Sequence, residues 1–160
     1  MTEQIKPKKK WYQYSVINTL LITIAVLFIF NIFFTFVGVN GISMEPTFMN
    51  GEIHIAKRWF SIDRFDVVVI DAYDVANTTL IKRVIGLPNE TVEYKNNQLY
   101  INSQLIEDNY GNGDTEDFII TLKDDEYFVL GDNRIESWDS RIYGTFSKDL
   151  IFAELFKRGG

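Results

Sequence analysis

From Trp11 to Met44 the chain carries no charged residue, and within that run lies SVINTLLITIAVLFIFNIFFTFVGV, residues 15–39. Few folds accommodate such a segment. A helix needs roughly 20 mostly apolar residues to cross the hydrocarbon core of a bilayer, and this run supplies them. A cleaved export signal has a shorter apolar stretch that ends in small residues, whereas this one ends in bulky FFTFVGV. A buried core helix normally shows a polar face, and here Asn18 and Asn31 are the polar interruptions. The sequence therefore predicts a single uncleaved transmembrane helix over 15–39, after a basic tail over 1–14. Lys6, Lys8, Lys9 and Lys10 precede it and no Lys or Arg follows until Lys57. The positive-inside rule then puts the N-terminus in the cytoplasm and residues 40–160 on the extracellular side. Trp11, Tyr12 and Tyr14 suit the inner interface. Asn31 can bond a second helix, though a lone Asn in such a span is more often just tolerated.

Beyond the span the charge changes sign. Residues 40–160 hold 12 Lys and Arg against 21 Asp and Glu, and the whole chain carries −6. With no basic stripe outside the first ten residues, nucleic acid is excluded as a partner class. The absence of cysteine excludes disulfides and thiolate metal sites. The acidic, Gly-rich stretch EDNYGNGDTED, residues 107–117, lacks ordered ligand spacing and reads as a solvated loop rather than a metal site.

Period-two patterns dominate residues 40–160, with EIHIAKRWF alternating at Ile53 and Ile55, and DVVVIDAY forming a β-branched run. TTLIKRVIGLP is a further strand, ended by Pro88. TVEYKNNQLYIN reads as a hairpin turning at Asn96–Asn97, because Asn tolerates the left-handed dihedrals of a two-residue turn. DEYFVLGDN is a strand running into a turn. Only SKDLIFAELFKR invites a helix, and a turn followed by a strand fits it as well. The expected fold is mainly β: one all-β domain over 40–160, directly after a membrane anchor.

VGVNGISMEPTF, residues 37–48, places Ser43 just past the apolar run. A nucleophilic serine needs a base, usually histidine. The chain has one, His54, which reads better as an exposed or satisfied strand residue. Ser43 is then either a turn serine or the partner of another base. A lysine serves if it is neutral. Its ordinary pKa near 10.4 falls by up to ~3–5 units on burial in apolar surroundings, so a lysine base belongs inside an apolar strand. TTLIKRVIGLP has that form, with Leu80, Lys82 and Val84 on one face and Ile81, Arg83 and Ile85 on the other. Either one of the two cations faces inward, or this is an edge strand with both charges solvated.

Three boxes, SMEPTF (Ser43–Phe48), KRVIGLP (Lys82–Pro88) and GDNRIESWDSR (Gly131–Arg141), with a weaker fourth, FDVVVI (Phe65–Ile70), resemble the conserved boxes of type I signal peptidases. They stand in that family's order, behind an anchor of that family's orientation. The resemblance implies a signal-peptidase-type β domain and a serine endopeptidase that removes signal peptides from exported preproteins. Ser43 is similar in position to the nucleophile and Lys82 to the general base. Met44 would line the groove beside the nucleophile, and Pro46 and Thr47 would shape its turn. Ser137 would hydrogen-bond the lysine amine. Asp139 and Arg141 would brace the site as a pair, and Asp132, Asn133 and Arg134 would form the supporting turn. The implied partners are preproteins, the lipid bilayer and the secretion translocon, with no cofactor. Elementary chemistry adds that a carboxylate beside the lysine would raise its pKa, so Asp139 is expected to pair with Arg141 rather than Lys82.

Three positions depart from the family's pattern. Gly41 stands where some members carry a serine that helps hold the oxyanion, so stabilisation falls to the Ser43 N–H and the Gly41 region. Phe65 and Asn89 stand where glycine is common, and Asn suits a left-handed turn. Two other classes share parts of this pattern. Self-cleaving repressors use a serine and a lysine on a β-rich fold, but the apolar run and GDNRIESWDSR weigh against them. Non-catalytic relatives usually lose the serine or the lysine, and both are present here.

Overall fold

The computed structural model describes residues 11–156, with side chains from Ser15 onward. The expected basic tail and the interfacial roles of Trp11, Tyr12 and Tyr14 lie outside the described side chains. The chain divides between Phe33 and Phe34 into two units.

The first unit is helix α1, Trp11–Phe33. Its 23 residues extend about 35 Å at the α-helical rise, enough for the hydrocarbon core of a bilayer. Three of its polar side chains are satisfied within the helix. Thr19, Thr23 and Asn31 each donate to the carbonyl four residues earlier at 2.9 Å, so the Asn31 amide is accommodated within its own helix. The helix ends six residues short of the expected boundary at Val39. Phe34–Gly38 instead form strand β1. Aromatic and β-branched residues favour strand, and FTFVG finds a partner strand to pair with.

The second unit is β, as expected. A seven-stranded antiparallel sheet contains β1, β2 (Ile53–Lys57), β3 (Val67–Asp71), β4 (Thr79–Gly86), β9 (Glu126–Leu130), β10 (Phe146–Ser147) and β11 (Ile151–Leu155), in the order β1-β2-β11-β3-β4-β9-β10. A four-stranded sheet, in the order β7-β6-β5-β8, contains β5 (Thr91–Lys95), β6 (Gln98–Ile101), β7 (Gln104–Ile106) and β8 (Phe118–Thr121). Two single-turn helices, α2 (Tyr73–Ala76) and α3 (Ser140–Tyr143), sit in connections. The β5–β6 hairpin turns at Asn96 and Asn97, with φ of +50° and +60°, the left-handed pair a type I′ turn requires. SKDLIFAELFKR resolves into a 3-10 turn, Lys148–Leu150, followed by β11.

Three apolar clusters make up the core. One holds Met44, Phe48, Ala56, Val67 and Leu155, a second Val68, Ile70, Val84 and Val129, and a third Ile85, Val92, Leu99 and Phe128. Strand β4 feeds all three, with Ile81 against the first, Leu80 and Val84 on the second and Ile85 in the third. Gly86 ends the strand against residues of the third cluster, where a Cβ would lie 2.4 Å from Val92 and 2.7 Å from Leu122. In β2 the expected alternation sets Ile53 and Ile55 on one face. Ile53 and Ile55 face outward, exposed, while Ala56 is buried. Together with Phe36, which lies opposite Ile55 on β1, they leave an apolar surface on this side of the sheet.

Candidate active site

Ser43 and Met44 follow β1 in a turn packed onto the first core cluster. Met44 and Phe48 are almost fully buried and anchor the turn from below, leaving Ser43 half-buried at the surface. Gly41 has a φ of +96°, a left-handed value that favours glycine. Its N–H donates to Asn50 Oδ1 at 2.9 Å. Among the described residues no hydrogen bond engages the Ser43 N–H. Ser43 opens onto a cleft of about 130 Å³, lined by Gly38–Gly41 and Met44 on one side and by Thr78–Lys82 on the other.

Lys82 enters this cleft from the middle of β4, and the edge-strand alternative for that segment fails. β4 is paired on both sides, with Val68 opposite Lys82 on β3 and Leu130 opposite Arg83 on β9. Both cations are buried, one more than the pattern required, and they solve the problem differently. Lys82 Nζ lies 2.7 Å from Ser43 Oγ. Burial, opposed in part by the charges of Asp139 and Asp132 and assisted by Arg141, lowers its pKa from 10.5 to about 8. Arg83 stays charged and is paired. Its Nε and Nη2 donate to the two carboxylate oxygens of fully buried Asp132 at 2.7 and 2.5 Å.

The turn after β9 connects these groups. The Asn133 N–H donates to the Ser43 carbonyl at 3.1 Å, and Asn133 Nδ2 to the Ile42 carbonyl at 3.3 Å. Thr47 Oγ1 donates to Asp132 at 2.5 Å. Gly131 is pressed against the nucleophile's own backbone, with a hypothetical Cβ 2.5 Å from the Ser43 carbonyl oxygen and 2.2 Å from Ser137 Oγ. Asp139 pairs with Arg141, whose Nε and Nη2 each donate to it at 2.8 Å, and it also accepts from the Gly131 N–H at 3.0 Å. Burial pushes the Asp139 carboxyl up, but the Arg141 and Gly131 hydrogen bonds and the Arg141 charge outweigh it and hold the group below the usual carboxylate range.

Ser137 does not make the expected bond to the amine. Its hydroxyl is buried beside Gly131 without a hydrogen-bond partner among the described residues. The same hydroxyl helps to hold the Asp139 carboxyl low. His54 is a satisfied strand residue, 2.8 Å from Glu52.

A serine and a lysine of lowered pKa, joined in a cleft, are one half of an assignment. The other half is likeness to known proteins, and the sequence profile described as "Signal peptidase, peptidase S26" matches residues 11–158. The chain belongs to the signal peptidase family. Signal peptidase I V of Bacillus subtilis (strain 168) is 38% identical over 166 residues, covering 90% of this chain and 94% of the relative. Signal peptidase I of Streptococcus pneumoniae serotype 4 is 32% identical over 192 residues, covering 93% and 91%. Among solved structures, a signal peptidase I from Enterococcus faecalis V583 superposes with a TM-score of 0.56 at 33% identity, covering 61% of this chain and 98% of that one.

Two features of this signal peptidase escaped the sequence reading. The 107–117 loop is not merely solvated. Asp108 and Thr115 turn inward, and Asp108 binds Arg134 Nη2 at 2.6 Å while accepting from the Tyr94 hydroxyl. Burial raises the Asp108 carboxyl, but the Arg134 charge and the bonds from Tyr94 and Arg134 bring it below its ordinary value. The second feature is the Arg83–Asp132–Thr47 link. Its one signal in the sequence was adjacency: two neighbouring cations in an apolar strand demand an anion for whichever stays charged.

Proposed function

We propose that this membrane-anchored peptidase cleaves signal peptides from preproteins with Ser43 as nucleophile and Lys82 as general base. The observation that carries the reading is the 2.7 Å contact between Lys82 Nζ and Ser43 Oγ. A pKa of about 8 leaves about a tenth of the amine neutral at pH 7, against roughly one part in three thousand for an ordinary lysine. The neutral amine takes the hydroxyl proton as Oγ attacks the scissile carbonyl. The ammonium then protonates the leaving amine, and an acyl-enzyme remains. The amine next takes a proton from water, the hydroxide attacks the ester, and the ammonium returns that proton to Ser43 Oγ as it leaves the acid product. The Ser43 N–H is the candidate oxyanion donor. Gly41 N–H, already bonded to Asn50, is the weaker one. Arg141 keeps the Asp139 charge from holding the proton on the amine. We assign the Ser137 hydroxyl, buried beside Gly131, as the group to receive an N–H when Lys82 becomes an ammonium.

The cleft beside Ser43, about 130 Å³, suits small side chains before the cut. Helix α1 and the exposed Phe36, Ile53 and Trp59 support a domain working at the bilayer surface. The orientation we infer has the N-terminus cytoplasmic, residues 40–160 outside, and preproteins arriving from the translocon. The test is processing of a radiolabelled preprotein by the full chain in vesicles. Ser43→Ala and Lys82→Ala should each abolish it while the β unit keeps its far-UV spectrum. Cleavage by either variant at the native rate would end the proposal.

A further inference from the structure

We propose that Tyr110 and Phe65 form an aromatic clamp that positions the reacting serine by holding Arg83 on Asp132. The inference rests on the reading of Ser43 as nucleophile. The Tyr110 ring lies over the Arg83 guanidinium, 3.8 Å from Cζ to the ring centroid. It packs against the Phe65 ring at 5.3 Å. The Phe65 carbonyl accepts from Arg83 Nη1 at 2.8 Å. Nε and Nη2 are taken by Asp132, so three guanidinium nitrogens are engaged in its plane and the face toward the surface is covered by a half-exposed tyrosine. Phe65 reaches this place with a φ of +69°, a left-handed conformation that is unfavourable for a bulky residue. Strain of this kind persists only where its surroundings enforce it.

What the clamp holds leads to Ser43 by two short routes. The Asp132 carboxylate that grips Arg83 also accepts from Thr47 Oγ1 at 2.5 Å, four residues past the nucleophile. The Asp132 carbonyl accepts from the Asn112 N–H at 2.7 Å, in Tyr110's own loop, and the following Asn133 N–H binds the Ser43 carbonyl at 3.1 Å. None of Tyr110, Phe65 or Arg83 lines the cleft. They are positioning residues. Their effect passes through where Ser43 sits relative to Lys82, not through substrate binding.

The experiment compares kcat and KM of the full chain in detergent micelles on a peptide spanning a signal-peptide cleavage site, well below each variant's Tm. Ser43→Ala serves as the control. Tyr110→Ala should lower kcat about tenfold with KM unchanged, since small misplacements of reacting groups cost rate steeply. Tyr110→Phe keeps the ring and should restore kcat to within about twofold. Should Tyr110→Ala not fold, Phe65→Gly removes the other ring while accepting the backbone conformation, and the same loss of kcat is expected. A purely structural role would lower Tm and leave kcat of the folded enzyme unchanged. Retention of kcat within about twofold, or a rise in KM alone, overturns the clamp while an inactive Ser43→Ala leaves the nucleophile standing. Cleavage by Ser43→Ala would instead overturn the underlying reading.

Discussion

A single amine carries most of the chemistry proposed here, and its cost and its use share a cause. Desolvation lowers Lys82 to about 8. With the folded pKa below the unfolded one, the neutral form is favoured in the folded state. The penalty is therefore fully present below pH 8 and fades as pH climbs from about 8 to 10.5. Its size is roughly 3 kcal/mol. Lys82→Met should then be inactive yet more stable at pH 7, with the gain shrinking toward pH 10.5. Thermal melts across that range check it, and a variant less stable than the parent at pH 7 contradicts it. In the parent, kcat/KM should fall about tenfold per pH unit below pH 8, and a flat profile from pH 7 to 5 rules out Lys82 as the base. Burial of the lysine was legible in the sequence as an alternative, because a catalytic amine needs an apolar strand. Burial of Arg83 was not, because the anion that permits it lies 49 residues away.

Among the elements, the turn after β9 does the most to assemble the site. It supplies the Asp132 carboxylate, the Asn133 contact to Ser43 and the close approach at Gly131. Gly131→Ala should place a methyl group within van der Waals overlap of the Ser43 carbonyl. We expect at least a hundredfold loss of kcat with a much smaller loss of Tm, read from peptide cleavage and a melt. Unchanged kcat would mean that the turn yields freely. Local chemistry made several elements readable: the Asn96–Asn97 hairpin, the Pro88 strand end, and Asn89 at a glycine-like position, which has a φ of +66°. The misread elements were decided by tertiary partners. FTFVG left the helix because β2 offered it a ladder. Which face of β2 is covered, with Ile53 and Ile55 left exposed, was open in the sequence, because alternation marks two faces without choosing between them. The acidic loop looked solvated because Asp108 finds Arg134 and Tyr94 only in the folded chain.

The molecule as a whole joins two units of unlike solvent preference. All three core clusters lie between Val37 and Ala153 or Leu155, so a chain beginning at Phe34 should fold without α1. It should also self-associate without detergent, because Phe36, Ile53 and Trp59 are 67%, 74% and 79% exposed. Size-exclusion chromatography with and without micelles, beside a far-UV melt, tests both points, and a monodisperse fragment in plain buffer would show the patch to be innocuous. One consequence of β4 reaches across the whole β unit. Lys82 and Arg83 are neighbours, and a guanidinium cannot surrender its proton at any working pH. Sliding the strand by one place in one direction would present a permanent cation to Ser43 and Val84 to Asp132, and in the other would turn Lys82 toward Asp132 and Ile81 toward Ser43. Such slippage must unzip pairings to β3 and β9 together and push a side chain into the spot at Gly86 that has no room for a Cβ. Inserting one residue between Thr79 and Lys82, with the start of the strand held in register, would thus take the amine away from Ser43 and should extinguish activity while sparing both Ser43 and Lys82.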